Sequence, residues 1–322
     1  MTSFVPARGL AAVALLAALA VPLAAQDTAR AGEVFIGIDY QPGARPGLVI
    51  LPAPGLDSAR TILERDLDFS DRFEVIALRA DSGSGAAPAP GAAPAAINYA
   101  LYRTLGARWA VELAAAGEGL RVRFHDVQAG AVRTEVTWRV DLSGEGDSRM
   151  DLHRLADQIV RWGTGQVGIA ASRILFVSGG RIYQVDADGH GLRALTPAGQ
   201  TALSPTWSPD GSQFGYVQLT DRGWSVILQR FATGTRTTVP TTTDETNITP
   251  TFAPDGRHVI FAKSGERGTN LVRVNIAELC CAERLTVGPF ADNLSPVYSP
   301  DGRRVAFVST RAGGQQIYVM GA

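Results

Sequence analysis

The sequence predicts a small α+β domain followed by the blades of a β-propeller, about three and a half of them, and three observations carry that prediction. An eight-residue motif occurs three times in the second half, as Ser204-Pro205-Thr206-Trp207-Ser208-Pro209-Asp210-Gly211, Thr249-Pro250-Thr251-Phe252-Ala253-Pro254-Asp255-Gly256 and Ser295-Pro296-Val297-Tyr298-Ser299-Pro300-Asp301-Gly302. The proline before each Asp-Gly falls at 209, 254 and 300, a repeat of 45 and then 46 residues, within the range of roughly 40 to 50 that one blade takes. The first half has no such repeat and instead mixes short alternating apolar runs with apolar residues at helical spacing, the pattern of helices laid on a sheet.

Composition bounds the rest. A chain of 322 residues, 45% hydrophobic and 19% charged, is long enough for two globular domains. With 30 basic against 31 acidic residues it has no overall field to draw it to phosphate backbones or anionic lipid, which argues against a nucleic-acid partner. Residues 1–25 read as a cleaved signal peptide: Arg8, an apolar run over about residues 10–21, Pro22, and small residues up to Ala25. That run is too short for a helix crossing a bilayer, which needs about 20 residues, so the mature chain is expected to be soluble and exported. We expect an N-terminal α/β domain over residues 26–165 and incomplete propeller blades over residues 166–322.

Within the first domain, residues 33–39 and 47–52 alternate as strands. Residues 57–69 set Ile62, Leu63 and Leu67 on one side with charges between, a helix for which Asp57 is the start signal. A strand follows over residues 73–78. Residues 81–96 contain only Asp, Ser, Gly, Ala and Pro; they cannot bury enough apolar surface to offset the entropy of ordering and read as a mobile loop. A short helix over residues 97–105 then leads to strands around residues 108–113, 120–125 and 132–140. The last two form a hairpin through Gln128-Ala129-Gly130. A helix over residues 148–162 closes the domain, with Leu152, Leu155, Ile159 and Trp162 spaced by three and four, a capping pattern from Ser148 to Asp151, and Gly163 as its stop.

In each repeat the Ser/Thr-Pro-x-aromatic piece is the inner strand, Pro-Asp-Gly is the tight turn, with glycine supplying the positive φ, and the apolar run after it is the second strand. Third strands follow over residues 225–230, 270–275 and 316–320. Turns at Asp186-Ala187-Asp188-Gly189 and Ala232-Thr233-Gly234 lead to fourth strands. Residues 174–196 fit strands two to four of a first blade. The 150 residues from 173 to 322, at about 45 per blade, make about 3.3 blades, fewer than the 4 to 8 of a closed ring, so the chain reads as a C-terminally truncated fragment.

These features in this order resemble the TolB family: an export signal, Glu33-Val34-Phe35-Ile36-Gly37-Ile38-Asp39, a small α/β domain, the junction from Thr164-Gly165 to Ile174-Leu175-Phe176-Val177, and Ser-Pro-x-aromatic-Ser-Pro-Asp-Gly blades. The resemblance implies a six-bladed propeller and a periplasmic role in the Tol-Pal system, with the lipoprotein Pal bound at a propeller mouth and TolA engaged by the mature N-terminal segment. The segment for TolA would be Glu33, Val34, Phe35, Ile36, Ile38 and Asp39. An alternating run of this kind suits strand addition to a partner, and equally suits the first strand of the domain. For Pal, the candidates are loops entering inner strands: Leu203; Asp244, Glu245, Thr246 and Asn247; Asp292 and Asn293. Solvated polar turns are the other reading of these loops.

No catalytic, cofactor or metal site emerges. Gly163-Thr164-Gly165-Gln166-Val167-Gly168 has the spacing of a dinucleotide loop, but a helix precedes it and a strand follows, the reverse of the required order, so it reads as an interdomain hinge. Asp186-Ala187-Asp188-Gly189 lacks the later ligands of a calcium loop. His125, His153, His190 and His258 have no paired spacing and read as surface or strand residues. Cys280 and Cys281 are neighbours and cannot staple distant segments; two small turn residues, a vicinal disulfide and a reactive pair all fit. Besides a protein-binding scaffold, two readings stay open: the propeller of a truncated prolyl-oligopeptidase-like peptidase, and a periplasmic ligand-binding propeller.

Overall fold

Strand β1 (Gly47–Ile50) is buried along its whole length because it is covered on both faces. In the computed structural model, which describes residues 45–78, 97–141, 148–240, 245–266, 268–279, 282–287 and 290–322, β1 pairs in parallel with β2 (Glu74–Ile76) and β3 (Ala107–Ala116). β3, β4 (Gly119–Asp126) and β5 (Ala131–Arg139) continue the sheet antiparallel, in the order β2-β1-β3-β4-β5. Leu48 and Ile50 enter the main core with helices α1 (Asp57–Phe69) and α3 (Ser148–Thr164), while Val49 points the other way, into a smaller cluster with Tyr102 of α2 (Tyr99–Thr104). Residues 1–25, 33–39, 81–96 and the Cys280–Cys281 pair lie outside the described residues.

The helix ends correct two details of the sequence reading and add a third. Asp57 is the first helical residue of α1 and not its cap; Leu56 holds the cap position without a side-chain bond, and the Asp57 charge favours the helix by sitting in its first turn. α2 does have a side-chain cap: Asn98 Oδ1 accepts from the Leu101 amide at 3.0 Å. α3 runs through Gly163 and stops at Gly165, whose φ of 75° lets its amide reach Arg161 O at 2.9 Å. Gly163 is small for packing: a Cβ there would lie 2.7 Å from the Phe73 ring.

Four antiparallel sheets follow. β6 (Arg173–Ser178), β7 (Arg181–Asp186) and β8 (Arg193–Ala194) make the first. β9 (Ala202–Trp207), β10 (Gln213–Thr220), β11 (Gly223–Arg230) and β12 (Arg236–Thr238) make the second, and β13 (Thr246–Phe252), β14 (His258–Gly265), β15 (Gly268–Asn275) and β16 (Glu283–Arg284) the third. β17 (Asn293–Tyr298), β18 (Arg304–Ser309) and β19 (Gln316–Gly321) make the fourth. Each is a meander in sequence order, as the repeats predict, and the first consists of the three strands expected over residues 174–196.

Period-two alternation then decides which neighbour each side chain meets. Phe214 and Tyr216 of β10 pack toward the first sheet with Ile182, whereas Val217 packs toward the third with Phe252, Val259 and Phe261. In β14, Val259 and Phe261 face the second sheet while Ile260 and Ala262 face Val305 and Phe307 of the fourth. Both faces of these middle strands are buried, which is why they read as unbroken apolar runs. Each buried large side chain contributes about 1.5–3 kcal/mol relative to exposure.

Because the Phe73 ring fills the space over Gly163, a Gly163→Val variant is expected to lose about 1–3 kcal/mol by overpacking. Urea unfolding of the two proteins should show this as a lower midpoint at unchanged slope.

Candidate partner-binding site

The inner strands owe their shape to the Ser/Thr-Pro pair. Ser204, Thr249 and Ser295 have φ of 50°, 50° and 51°, and each precedes a proline. At the same place the ladder gains a residue: Gly215 pairs with Thr206 but Val217 with Leu203, Ile260 with Thr251 but Ala262 with Ile248, and Ala306 with Val297 but Val308 with Leu294. Each inner strand therefore carries a bulge, which accommodates a proline that has no N–H to donate. The bulge also ties blade to blade, since the Ser295 amide donates to Thr249 Oγ1 at 3.2 Å.

The strands begin before the bulge, so Leu203, Thr246, Asn247 and Asn293 lie inside β9, β13 and β17 and not in entering loops, a correction to the sequence reading. Their polar members are engaged within the fold. Asn293 is 1% exposed; its Nδ2 donates to Thr269 O at 2.9 Å on β15 and its Oδ1 accepts from Arg311 at 3.0 Å. Asp292 accepts from Thr269 Oγ1 at 2.8 Å, and its amide donates to Thr310 Oγ1 at 2.9 Å. Gly268, at φ 103°, makes this lacing possible, because a Cβ there would lie 2.7 Å from Ala291 O. Asn247 is fully buried, with Nδ2 3.4 Å from Pro240 O. Glu245 pairs with Lys263 at 2.8 Å and Thr246 with Ser264 at 2.6 Å.

Beside exposed polar residues such as Asp292, this rim leaves large apolar side chains uncovered. Leu203 is 38% exposed, Leu219 beside it 48%, and Phe290, next to the Gly268 contact, 84%. Leu219 is held there by its amide, which donates to Thr201 O at 2.9 Å. β9, β13 and β17 are neighbours, so the three predicted clusters do come to one end of adjacent blades. Phe290 and Leu219 escaped the sequence reading, which looked only at the residues entering the inner strands; the signal for Phe290 was a large aromatic after Gly288-Pro289. Asp244 and residues 33–39 lie outside the described residues.

At the other end of each blade, the Pro-Asp-Gly turns are built alike. Gly211, Gly256 and Gly302 have φ of 67°, 67° and 70°. Asp210 accepts from Ser208 Oγ at 2.7 Å and from the Ser212 amide at 3.1 Å; Asp301 accepts from Ser299 Oγ at 2.5 Å and from the Arg303 amide at 3.0 Å. These bonds, Ser208 first, hold the Asp210 carboxyl down at about 2. The middle copy has Ala253 in place of the serine, and Asp255 takes the Arg257 amide and His258 instead. Of the remaining histidines, His125 is the strand residue expected, buried in β4 at 2% exposure, whereas His153 lies fully buried in α3 and is neither a surface nor a strand residue. His125 Nδ1 lies 2.9 Å from the Tyr99 hydroxyl. Among the described residues, no group of three or more His, Cys, Asp or Glu is placed to hold a metal ion.

A mixed five-stranded α/β sheet with its helices, followed by four antiparallel meanders of three or four strands, defines a protein with an α/β domain and propeller blades. Residues 162–322 match the TolB beta propeller domain, and the chain belongs to the TolB family. It is 30% identical over 190 residues to the Tol-Pal system protein TolB of Methylococcus capsulatus, covering 56% of this chain and 43% of that protein. It is 32% identical over 222 residues to the Tol-Pal system protein TolB of Anaeromyxobacter sp. strain K, covering 64% and 48%. The crystal structure of TolB from Acinetobacter baumannii superposes with a TM-score of 0.70 at 24% identity, covering 87% of this chain and 70% of that one, a likeness of fold. The chain spans about half the length of the curated relatives it matches.

Two outcomes test the rim and the turns. Asn293→Ala leaves Thr269 O and Arg311 without their partner and should cost about 2–3 kcal/mol in chemical denaturation. Asp210 is depressed in the folded state from its ordinary 3.8, so its contribution is present above that value and lost as pH falls toward 2. Ser208→Ala should move the Asp210 midpoint up toward 3.8 when followed by carboxyl NMR.

Proposed function

We propose that this protein is a periplasmic, non-enzymatic scaffold of the Tol-Pal system that binds the lipoprotein Pal through its propeller rim and TolA through residues 33–39, and so supports outer-membrane integrity and cell division. The observation that carries this reading is the match of residues 162–322 to the TolB propeller in a chain whose preceding residues fold as a five-stranded α/β sheet. The curated relatives it matches bear the description Tol-Pal system protein TolB. Export through residues 1–25, and a division between domains at residues 165 and 166, belong to the same proposal.

The rim supplies a physical basis for partner binding. Asp292 and Asn293 are tied to Thr269 of the neighbouring blade, and Leu203, Leu219 and Phe290 are exposed on the same rim. An exposed aromatic such as Phe290 is the kind of anchor that dominates binding energy in protein interfaces.

A pull-down from periplasmic extract should recover Pal with the intact protein and with a variant lacking residues 33–39, but TolA only with the intact protein. Phe290→Ala combined with Leu203→Asp should weaken Pal binding by about tenfold or more. Recovery of neither partner by the intact protein would remove the Tol-Pal assignment.

A further inference from the structure

A carboxylate of the first blade is held by the helices of the α/β domain. Asp188, in the turn between β7 and β8, has a side chain only 6% exposed. It takes Arg65 of α1 at 2.5 Å and Arg149 of α3 through both Nε, at 2.7 Å, and Nη2. The His190 amide donates to its other oxygen at 2.9 Å. Beneath it lies His153 of α3, fully buried, whose Nδ1 donates to Asp66 Oδ2 of α1 at 2.6 Å. Its Nε2 stands 3.4 Å from Asp188 Oδ2 and makes no hydrogen bond.

That geometry distinguishes the two states of the ring. With Nδ1–H given to Asp66, a neutral imidazole turns the bare Nε2 lone pair toward the Asp188 carboxylate, which is repulsive. A protonated imidazole puts an N–H on that side and a positive charge between two carboxylates from different parts of the fold. We propose that His153 is a proton-operated latch, closed when the ring is charged, that clamps the first blade to the α/β domain through Asp66 and Asp188.

The groups facing the ring are Asp66 from α1, Arg149 from α3, and Asp188 from the blade, the last shared with Arg65. Burial opposes the charged ring, but the hydrogen bond to Asp66 and the charges of Asp66 and Asp188 outweigh burial and the opposing Arg149, leaving His153 above the ordinary 6.5. At Asp188 burial also opposes the charge, and the His190 amide, Arg149 and His153 overcome it, bringing the carboxyl to about 2. A histidine raised in the folded state stabilises fully below 6.5, and the contribution is lost as pH rises through the folded value. The latch therefore loosens toward alkaline pH. A cavity of about 250 Å³ lined by Arg65, Asp66, Phe69, Ile169 and Asp188 opens beside the two carboxylates.

The test uses the full chain. Histidine ring NMR should place the His153 midpoint above 6.5, and Asp188→Asn should lower it by about one pH unit. Protease cleavage within residues 165–172, normalised to an unfolded substrate, should quicken severalfold between pH 6 and pH 8.5 in the wild type and lose that dependence in His153→Gln. A His153 midpoint at or below 6.5 overturns the latch, as does a His153→Gln protein that keeps the wild-type profile. If that variant does not fold, the wild-type midpoint and its response to Asp188→Asn decide alone.

Discussion

Every blade in this chain depends on its neighbour, because a four-stranded meander has two apolar faces and no helix to cover either. The second sheet buries Phe214 and Tyr216 against the first and Val217, Val226 and Leu228 against the third; the third sheet repeats the arrangement toward the fourth. The cores of this half are thus all interfaces between sheets, and a blade has no core of its own. Small residues matter where faces meet closely: Gly215 lets the Phe252 ring approach to about a van der Waals contact, since a Cβ there would stand 3.2 Å from it.

Close stacking in turn decides what becomes of the polar groups at the blade ends. The bulges at Ser204, Thr249 and Ser295 bend the inner strands, and the lacing of Thr269, Asp292, Asn293 and Arg311 closes the gap between successive sheets. Buried amides of this kind must be satisfied or they cost more than they contribute, and Asn293 is satisfied on both of its ends. The rim that results carries exposed apolar side chains beside its polar ones. Leu203, Leu219 and Phe290 are exposed there.

The α/β half meets the same requirement by other means. Its sheet is covered by α1 and α3 on one face and partly by α2 on the other, and its helices supply the charges that receive the first blade. Asp157 of α3 accepts the amides of Ala170 at 2.7 Å and Ala171 at 3.0 Å, and Gly168 is pressed against it, so the linker is tied to α3. The Gly163-to-Gly168 run that could pass for a nucleotide loop is therefore spent on packing and on ending a helix: Gly163 on Phe73, Gly165 at the helix stop, Gly168 on Asp157.

Much of this was legible in the sequence, for a local reason. Turn chemistry and period-two alternation act over a few residues, so the Pro-Asp-Gly turns, the strands after them, α1 and the hairpin between β4 and β5 could be read directly. The family resemblance rests on those same local motifs and was matched over residues 162–322. Tertiary structure alone decided the strand order β2-β1-β3-β4-β5, the bulges, and the side chain that each face meets. It also turned Asn247 and Asn293 from loop candidates into buried structural residues, exposed Phe290, and made His153 and Asp188, which look like a helix residue and a turn residue, into one charged contact. The physical reason is distance along the chain: His153 lies 87 residues from Asp66, and Thr269 lies 24 from Asn293. Hydrogen bonds and charges act between groups that only the packed fold brings within a few ångströms, whereas propensity and patterning are properties of neighbours in sequence.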